Sequence, residues 1–412
     1  EMTSSLVGSE MCIRDRNYSM KYDFETLIDR SRCGSGKWDG MREKKADLTP
    51  GVVPFSVADM EFKNAPEIVA GLKKYLDTHI LGYTHPTEAY YAAVCSWIKE
   101  QHGWTVDPAH IVCSPGVVPA LFMLVAALCE AGDGIIVMPP VYYPFYGAVK
   151  TNGCHVKTCP LVYENGAYSI NFELLEKVAS ESDSKLLIFC SPHNPVGRVW
   201  SPKELHRVGE ICLRHGVKII SDEIHWDIVM PGHTHTPFPM AGEFGDNLIV
   251  CTAPSKTFNL AAMQTSNIIL PGEEDRKKFL AIKEKYCVES MNALGFEACR
   301  LAYTLGKGWM EEMLQVIWDN FKFASAYLKE RLPMIKPIEL QGTYLMWLDC
   351  TALGKNSKEL EELMVQKAEL FLDEGYIFGE GGEGFERLNL ACPKWVLKAG
   401  LERLEQAVKA SC

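Results

Sequence analysis

Ala253-Pro254-Ser255-Lys256-Thr257-Phe258-Asn259 is the stretch whose reading decides the fold. It follows Asn247-Leu248-Ile249-Val250-Cys251-Thr252, an apolar run that reads as a strand buried on both faces, as strands of parallel sheets are. A lysine just past such a strand is held at the edge of a sheet with little freedom. Two more strand ends lie upstream. Leu186-Leu187-Ile188-Phe189-Cys190 leads to Asn194, and Val217-Lys218-Ile219-Ile220-Ser221 leads to Asp222. An amide, a carboxylate and a lysine on successive strand ends can surround one flat cofactor.

Pyridoxal phosphate needs those three groups: a lysine for a Schiff base, an anion at the pyridinium nitrogen and a donor to the ring hydroxyl. A phosphate seat is also present. Ile111-Val112-Cys113-Ser114-Pro115-Gly116-Val117-Val118 reads as strand, tight turn and helix start, and the amides of Val117 and Val118 at such a start suit a phosphate. Ser255 can add a hydroxyl, whereas the position eight residues after Lys256 is Gln264 and offers no arginine. In Pro139-Pro140-Val141-Tyr142-Tyr143-Pro144-Phe145, one tyrosine can stack on the ring while its neighbour faces substrate. Each piece also has a plain reading: a βα turn, two core tyrosines, an Asn-Pro turn at Asn194, a solvated loop at Asp222 to His225. Order along the chain separates the readings, because three strand ends each carry the required group. His233 and His235 lie in a Pro/Gly-rich loop and are expected to be solvated rather than metal ligands. Gly379 to Gly384 lacks the lysine-bearing strand-to-helix context of a nucleotide loop.

Composition agrees. With 412 residues, one large and one smaller domain is the expectation, and 47% apolar content supplies a core. The net charge of −11, with no sustained basic run, argues against nucleic acid or an anionic membrane as partner. The longest apolar stretch, Val117 to Leu128, contains Pro119 and is too short for a membrane span, so it reads as a core helix. Fifteen scattered cysteines without a C-x-x-C pair suggest buried free thiols in a reducing cytoplasm. Cys154 and Cys159 flank His155 without the further ligands zinc would need.

Helical patterns over Pro66–Tyr75, Tyr90–His102, Val117–Glu130, Phe172–Ser180 and Pro202–His215 alternate with strand patterns. The strands are His110–Cys113, Gly134–Met138, Leu186–Cys190, Val217–Ser221, Leu248–Thr252 and Gln264–Leu270. The alternation predicts an α/β fold with a mostly parallel sheet, helices on both faces and sites at strand C-terminal ends. Later come helix Trp309–Arg331, strand Thr343–Asp349, helix Ser357–Glu374 and a last helix after Pro393. We divide the chain into an N-terminal arm and part of a small domain (20–66), a large cofactor-binding domain (67–305) and a small C-terminal α+β domain (306–412). Residues 1–19 are expected to be a non-native or disordered extension outside the fold.

From Met20 to near the C-terminus the sequence resembles the fold-type I pyridoxal-phosphate enzymes, which are aspartate aminotransferase-like with a seven-stranded sheet. Within them it resembles the cystathionine β-lyases of the MalY/PatB group, the C–S lyases. The resemblance is carried by Val53-Pro54-Phe55-Ser56-Val57-Ala58-Asp59-Met60, Ser114-Pro115-Gly116-Val117-Val118, Pro140-Val141-Tyr142-Tyr143-Pro144-Phe145 and Pro192-His193-Asn194-Pro195-Val196-Gly197-Arg198-Val199-Trp200. It continues through Ser221-Asp222-Glu223-Ile224-His225-Trp226-Asp227, Ala253 to Leu260, Gly342-Thr343-Tyr344-Leu345-Met346-Trp347 and Arg387-Leu388-Asn389-Leu390.

The resemblance implies that Lys256 binds the cofactor covalently and later moves the substrate's α-proton. Asp222 keeps the ring nitrogen protonated, Asn194 bonds the ring hydroxyl, and Tyr142 stacks on the ring as the second catalytic group. His225, Ser255, Val117 and Val118 complete the cofactor site. Arg387 grips the α-carboxylate of a small amino-acid substrate with its two-pronged guanidinium, beside Tyr143. Tyr83, in Leu81-Gly82-Tyr83-Thr84, resembles the tyrosine that reaches a neighbouring subunit's phosphate, which implies a homodimer with shared sites. The implied activity is β-elimination from L-cystathionine or related cysteine S-conjugates, yielding a thiol, pyruvate and ammonia. Two alternatives stay open: an aminotransferase using a 2-oxo acid, and an added regulatory role through protein binding. Asp222-x-x-His225, where aminotransferases carry Asp-x-x-Tyr, and Gln264 both fit the lyase group.

Overall fold

The computed structural model describes residues 20–411, so the expectation for residues 1–19 falls outside the described residues. In chain order the helices are α1 (Gly36–Lys44), α2 (Pro66–Thr78), α3 (Glu88–His102), α4 (Val117–Leu128), α5 (Pro144–Thr151), α6 (Phe172–Ala179), α7 (Pro202–Arg214), α8 (Glu273–Lys285), α9 (Ala293–Leu305), α10 (Lys307–Arg331), α11 (Ser357–Glu361) and α12 (Lys394–Lys409). The strands are β1 (Ile111–Ser114), β2 (Gly134–Val137), β3 (His155–Thr158), β4 (Val162–Glu164), β5 (Ala167–Ser169), β6 (Ser184–Cys190), β7 (Lys218–Asp222), β8 (Leu248–Thr252), β9 (Ser266–Ile269), β10 (Lys336–Pro337), β11 (Leu345–Asp349), β12 (Asp373–Glu374) and β13 (Phe385–Asn389).

Seven strands form one sheet in the order β1-β9-β8-β7-β6-β2-β3. Strand β9 runs antiparallel to both neighbours, and the other pairings are parallel. Alternate residues feed two separate apolar clusters. Leu187, Phe189, Ile219 and Val250 pack on one side; Leu186, Ile188, Ile220 and Ile249 pack on the other. A sheet covered on both faces explains why its central strands read as continuous apolar runs. It also gives every parallel strand the same exit: the C-terminal ends of β1, β2, β6, β7 and β8 and the start of β9 share one edge.

The helix α7 shows how local chemistry sets boundaries. Ser201 caps it, its side chain accepting from Glu204 N while the Glu204 carboxylate accepts from Ser201 N, and Pro202 occupies the first turn. A second sheet, β10-β11-β13-β12, is antiparallel throughout. Residues 55–61 lie against it: Phe55 N donates to Phe371 O, Asn389 N to Phe55 O and Glu61 N to Ala391 O. That segment therefore forms a strap running from the small sheet toward the edge of the large one.

Three expectations need correction. The helix expected over Ser357–Glu374 consists of α11 and one π-helical segment ending at Lys367. Ala368 to Leu372 is a continuous buried run, and Asp373–Glu374 continue as strand β12. Such a run cannot present the one-sided apolar period a surface helix requires. The strand expected from Thr343 begins at Leu345, because Thr343 stands at φ +70°, outside strand geometry. His235, expected to be solvated, is buried with Nε2 2.8 Å from Glu223 Oε2. The seventh strand, β3, gave no sequence signal: an edge strand of His155, Val156, Lys157 and Thr158 has no buried face to mark it. Among the described residues, no helix is long and apolar enough to cross a membrane, and no cluster of three or more His, Cys, Asp or Glu could hold a metal.

Candidate active site

A cavity of about 180 Å³ lies at the shared strand edge. It brings together Val117, Val118, Tyr142, Asn194, Asp222, His225, Ser255 and Lys256, with Ala58 and Gln264 closing the ring. A larger and more open cleft of about 730 Å³ lies beside it, between α2 and the strap. Its charges are largely paired with one another, Arg30 to Asp59 at 2.8 Å for instance, whereas the smaller cavity holds buried groups with reactive potential.

Lys256 is partly buried in the cavity, and its Nζ donates to Ala58 O at 2.7 Å. Burial lowers its pKa to about 8; Arg387 pushes the same way, and Asp59 and Asp222 oppose it. Its loop is fixed from three sides. Asn259 Nδ2 donates to Met60 O and Phe62 O at 3.1 and 3.3 Å, and Met60 N donates to Asn259 Oδ1 at 2.9 Å. Thr257 Oγ1 donates to Asp227 Oδ2 at 2.7 Å, and the other oxygen of Asp227 accepts from Trp97 Nε1 at 3.1 Å and lies 2.8 Å from His102 Nε2.

Asp222 closes β7 and is 3% exposed. Among the described residues its carboxylate has one partner, Ile224 N, at 3.2 Å. Burial raises its pKa to about 7, and Glu223 adds to the rise; the Ile224 amide and Lys256 oppose it. Glu223 next door is tied by Ser221 Oγ at 2.9 Å, Phe238 N at 3.0 Å and His235. His225 is held neutral by burial and by the positive charges of Lys256 and Arg387, and its Nδ1 has no partner among the described residues. Tyr142 keeps its phenol proton, since burial pushes its pKa up.

At the other end of the cavity, α4 begins after Gly116, with no side chain capping it. Gly116 sits at φ +146°, and a Cβ there would come within 3.3 Å of Pro119 Cδ, so only glycine brings the chain into this turn without strain. The first amides of α4 therefore face the cavity end without a side-chain acceptor, as an anion seat requires. Arg387, on β13, donates from Nη1 to Asn194 Oδ1 at 2.8 Å and from Nη2 to Asp373 Oδ2.

The residues present fit pyridoxal phosphate. Asp222 is a buried carboxylate short of a cation, which a protonated ring nitrogen supplies; uncapped amides suit a phosphate; Lys256 is a buried amine of depressed pKa. Two expected residues stand apart. Tyr143 is 45% exposed beside Phe378, and Tyr83 is 96% exposed in a loop with Ile80 and Leu81, away from this chain's cavity. Ala58, Tyr344, Asp227 and Asp373 had no assigned part in the sequence reading. Ala58, Tyr344 and Asp227 lie inside the quoted motifs but carry no signature of their own, and Asp373 was read as helical.

The family model for aminotransferase class I and II matches residues 50–404. Cystathionine β-lyase PatB of Bacillus subtilis (strain 168) is 42% identical over 94% of this chain and all of its own length. Protein MalY of Escherichia coli (strain K12) is 30% identical over 94% of this chain and 99% of its own. The crystal structure of cystalysin from Treponema denticola, which contains pyridoxal 5'-phosphate, superposes with a TM-score of 0.94 at 45% identity, covering 95% of this chain and 100% of that one. The chain has the fold-type I, aspartate aminotransferase-like fold. It belongs to the aminotransferase class I and II family and, within it, to the pyridoxal-phosphate-dependent C–S lyase group.

Proposed function

We propose that this protein cleaves the Cβ–S bond of L-cystathionine or a related cysteine S-conjugate. With water consumed, the products are a thiol, pyruvate and ammonium. The observation that carries the reading is the Lys256 amine, which lines one cavity with Asp222 and Asn194 and feels the charges of both Asp222 and Arg387. The C–S lyase relatives supply the choice of leaving group. We assign residues 67–305 to cofactor binding and residues 20–66 with 306–412 to the small domain that meets substrate.

Bound pyridoxal phosphate supplies an electron-accepting ring that takes up charge from the substrate's Cα. Asp222 holds a negative charge at the ring nitrogen, and Asn194 faces the ring hydroxyl. The amides of Val117 and Val118 with the Ser255 hydroxyl hold the phosphate, His225 lines the cofactor site, and Tyr142 covers the ring. Arg387 fixes the α-carboxylate beside Tyr143, which orients the Cα–H bond toward Lys256. With a pKa of about 8, the Lys256 amine is partly neutral near physiological pH and takes the Cα proton as general base. The electron pair left at Cα then forms the Cα–Cβ double bond, and the thiolate leaves from Cβ with the electrons of the broken Cβ–S bond. Partner chemistry extends the site: we assign Tyr83 to the phosphate of a second subunit, because it stands exposed with Ile80 and Leu81 at 93% and 62%. We place the protein in the cytoplasm, where the free thiols of its described cysteines persist.

The second reading, an aminotransferase, draws on the same cofactor residues. Incubation with L-cystathionine separates the two. We expect pyruvate and free thiol in equal amounts without any added 2-oxo acid. Amino-group transfer that requires a 2-oxo acid, with no thiol released, contradicts the lyase assignment.

Asp222 yields a prediction with a definite sign. Its folded pKa of about 7 exceeds the ordinary 3.8, so the folded state binds the extra proton and stability falls as pH rises through that window. At about 1.4 kcal/mol per unit, the cofactor-free protein is destabilised by a few kcal/mol above pH 7. Cofactor-free Asp222→Asn should therefore melt higher than the parent at pH 8, and the two should converge toward pH 4. An Asp222→Asn protein that melts at or below the parent at pH 8 refutes the unpaired carboxylate. With cofactor bound, the same variant should lose most turnover.

Mixed dimers test Tyr83. Pairing a Tyr83→Phe protomer with a Lys256→Ala protomer leaves one lysine-bearing site, which receives an intact tyrosine only from its neighbour. That site should retain cofactor like the parent. Retention as weak as in the all-Tyr83→Phe protein places the tyrosine's action within its own subunit.

A further inference from the structure

We propose that Asp373 is the positioning residue that aims Arg387 at an amino acid's α-carboxylate and ties that clamp to the strap beside Lys256. This rests on the assignment of Arg387 made above. Strands β12 and β13 pair Asp373 opposite Arg387, so one sheet register delivers both. The Arg387 side chain is 2% exposed, and its planar fork carries five N–H donors. Asn194 fixes Nη1, Asp373 fixes Nη2, and the Phe378 ring lies with its centroid 4.9 Å from Cζ. Two hydrogen bonds and one ring contact thus hold the guanidinium.

Nε, by contrast, is buried with no hydrogen-bond partner among the described residues. An orphaned donor on a buried cation is costly unless a ligand fills it. The edge formed by Nε and the remaining hydrogen on Nη2 presents two parallel donors, the arrangement a carboxylate takes in bidentate fashion. Asp373 and Asn194 thus hold the two terminal nitrogens, and Nε is the donor of the fork left for a ligand.

The same carboxylate has a second duty. Its Oδ2 also accepts from Val57 N at 2.9 Å. Val57 is β-branched and sits at φ +52°, the left-handed region such residues avoid, so the surrounding bonds must hold it there. Asn389 Nδ2 contributes by donating to Val57 O at 2.8 Å and Asp59 O at 2.7 Å. Between those two residues, the Ala58 carbonyl accepts from both Lys256 Nζ, at 2.7 Å, and the Tyr344 hydroxyl, at 2.8 Å. One carboxylate therefore sets the clamp for substrate and the strap that receives the free lysine amine.

The test uses the holoenzyme and L-alanine, which carries the α-carboxylate but no β-leaving group. Binding is read from the cofactor's absorbance, with cofactor content and melting temperature measured alongside. We expect Asp373→Ala to weaken L-alanine binding roughly tenfold or more while cofactor content holds. In an Arg387→Ala background the same change should add less than about threefold, because Asp373 acts through the arginine. Asp373→Asn keeps the shape but cannot serve both donors as an anion, so it should show the loss even if the alanine variant folds poorly. Parent-like L-alanine binding in Asp373→Asn, or losses that multiply fully in the double variant, overturn the proposal. Failure to cleave cystathionine leaves this measurement intact. If Arg387→Ala alone binds L-alanine normally, the carboxylate assignment itself falls, and this proposal with it.

Discussion

The buried Asp222 carboxyl, whose one partner among the described residues is a backbone amide, holds its proton far above the usual carboxylate range, to about pH 7. The fold places Lys256 on the adjacent strand end, yet burial drives that amine toward its neutral form as well. Neither group can satisfy the other completely. A flat ring with a protonated nitrogen and an electrophilic carbon would satisfy both. The buried sheet creates this constraint: it delivers ionisable groups to one edge and screens them from water.

Everything else around the cavity fixes positions. Asp227, Asn259 and the strap hold the lysine loop; Glu223, itself satisfied by three donors, anchors the segment that carries Asp222. The small sheet reaches the same place from the opposite side, through Arg387 and residues 55–61. Catalytic geometry thus depends on two sheets that share no strand and are joined by the Arg387–Asn194 hydrogen bond and by bonds to the strap. Loss of a strap contact should disturb function before it disturbs either core.

Much of this was legible in the sequence because the site is built at strand ends. A continuous apolar run followed by a polar residue marks both the strand and the direction of its exit, which is why Asn194, Asp222 and Lys256 could be located without coordinates. The unread parts share a physical cause. Edge strand β3 has no buried face, and β12 holds two residues, too few for any period. Asp373 was hidden because Ser357 to Glu374 opens with a capped helical turn, and the break at Lys367 leaves no Pro or Gly to mark it. The Ala58 carbonyl acts through its backbone, which no residue type announces. Tyr83 and Tyr143 illustrate the converse: a motif names each residue, while in the structure both stand exposed and neither lines the cavity.

The central claim is that Lys256 is the residue that takes the cofactor, because it alone combines an amine, burial and the neighbouring Asp222. Borohydride reduction of the purified holoenzyme, followed by peptide mass mapping, tests this directly. The account predicts one pyridoxyl phosphate adduct, on the peptide that contains Lys256, and none after Lys256→Ala. An adduct on another lysine, or an undiminished yield in the alanine variant, would contradict it.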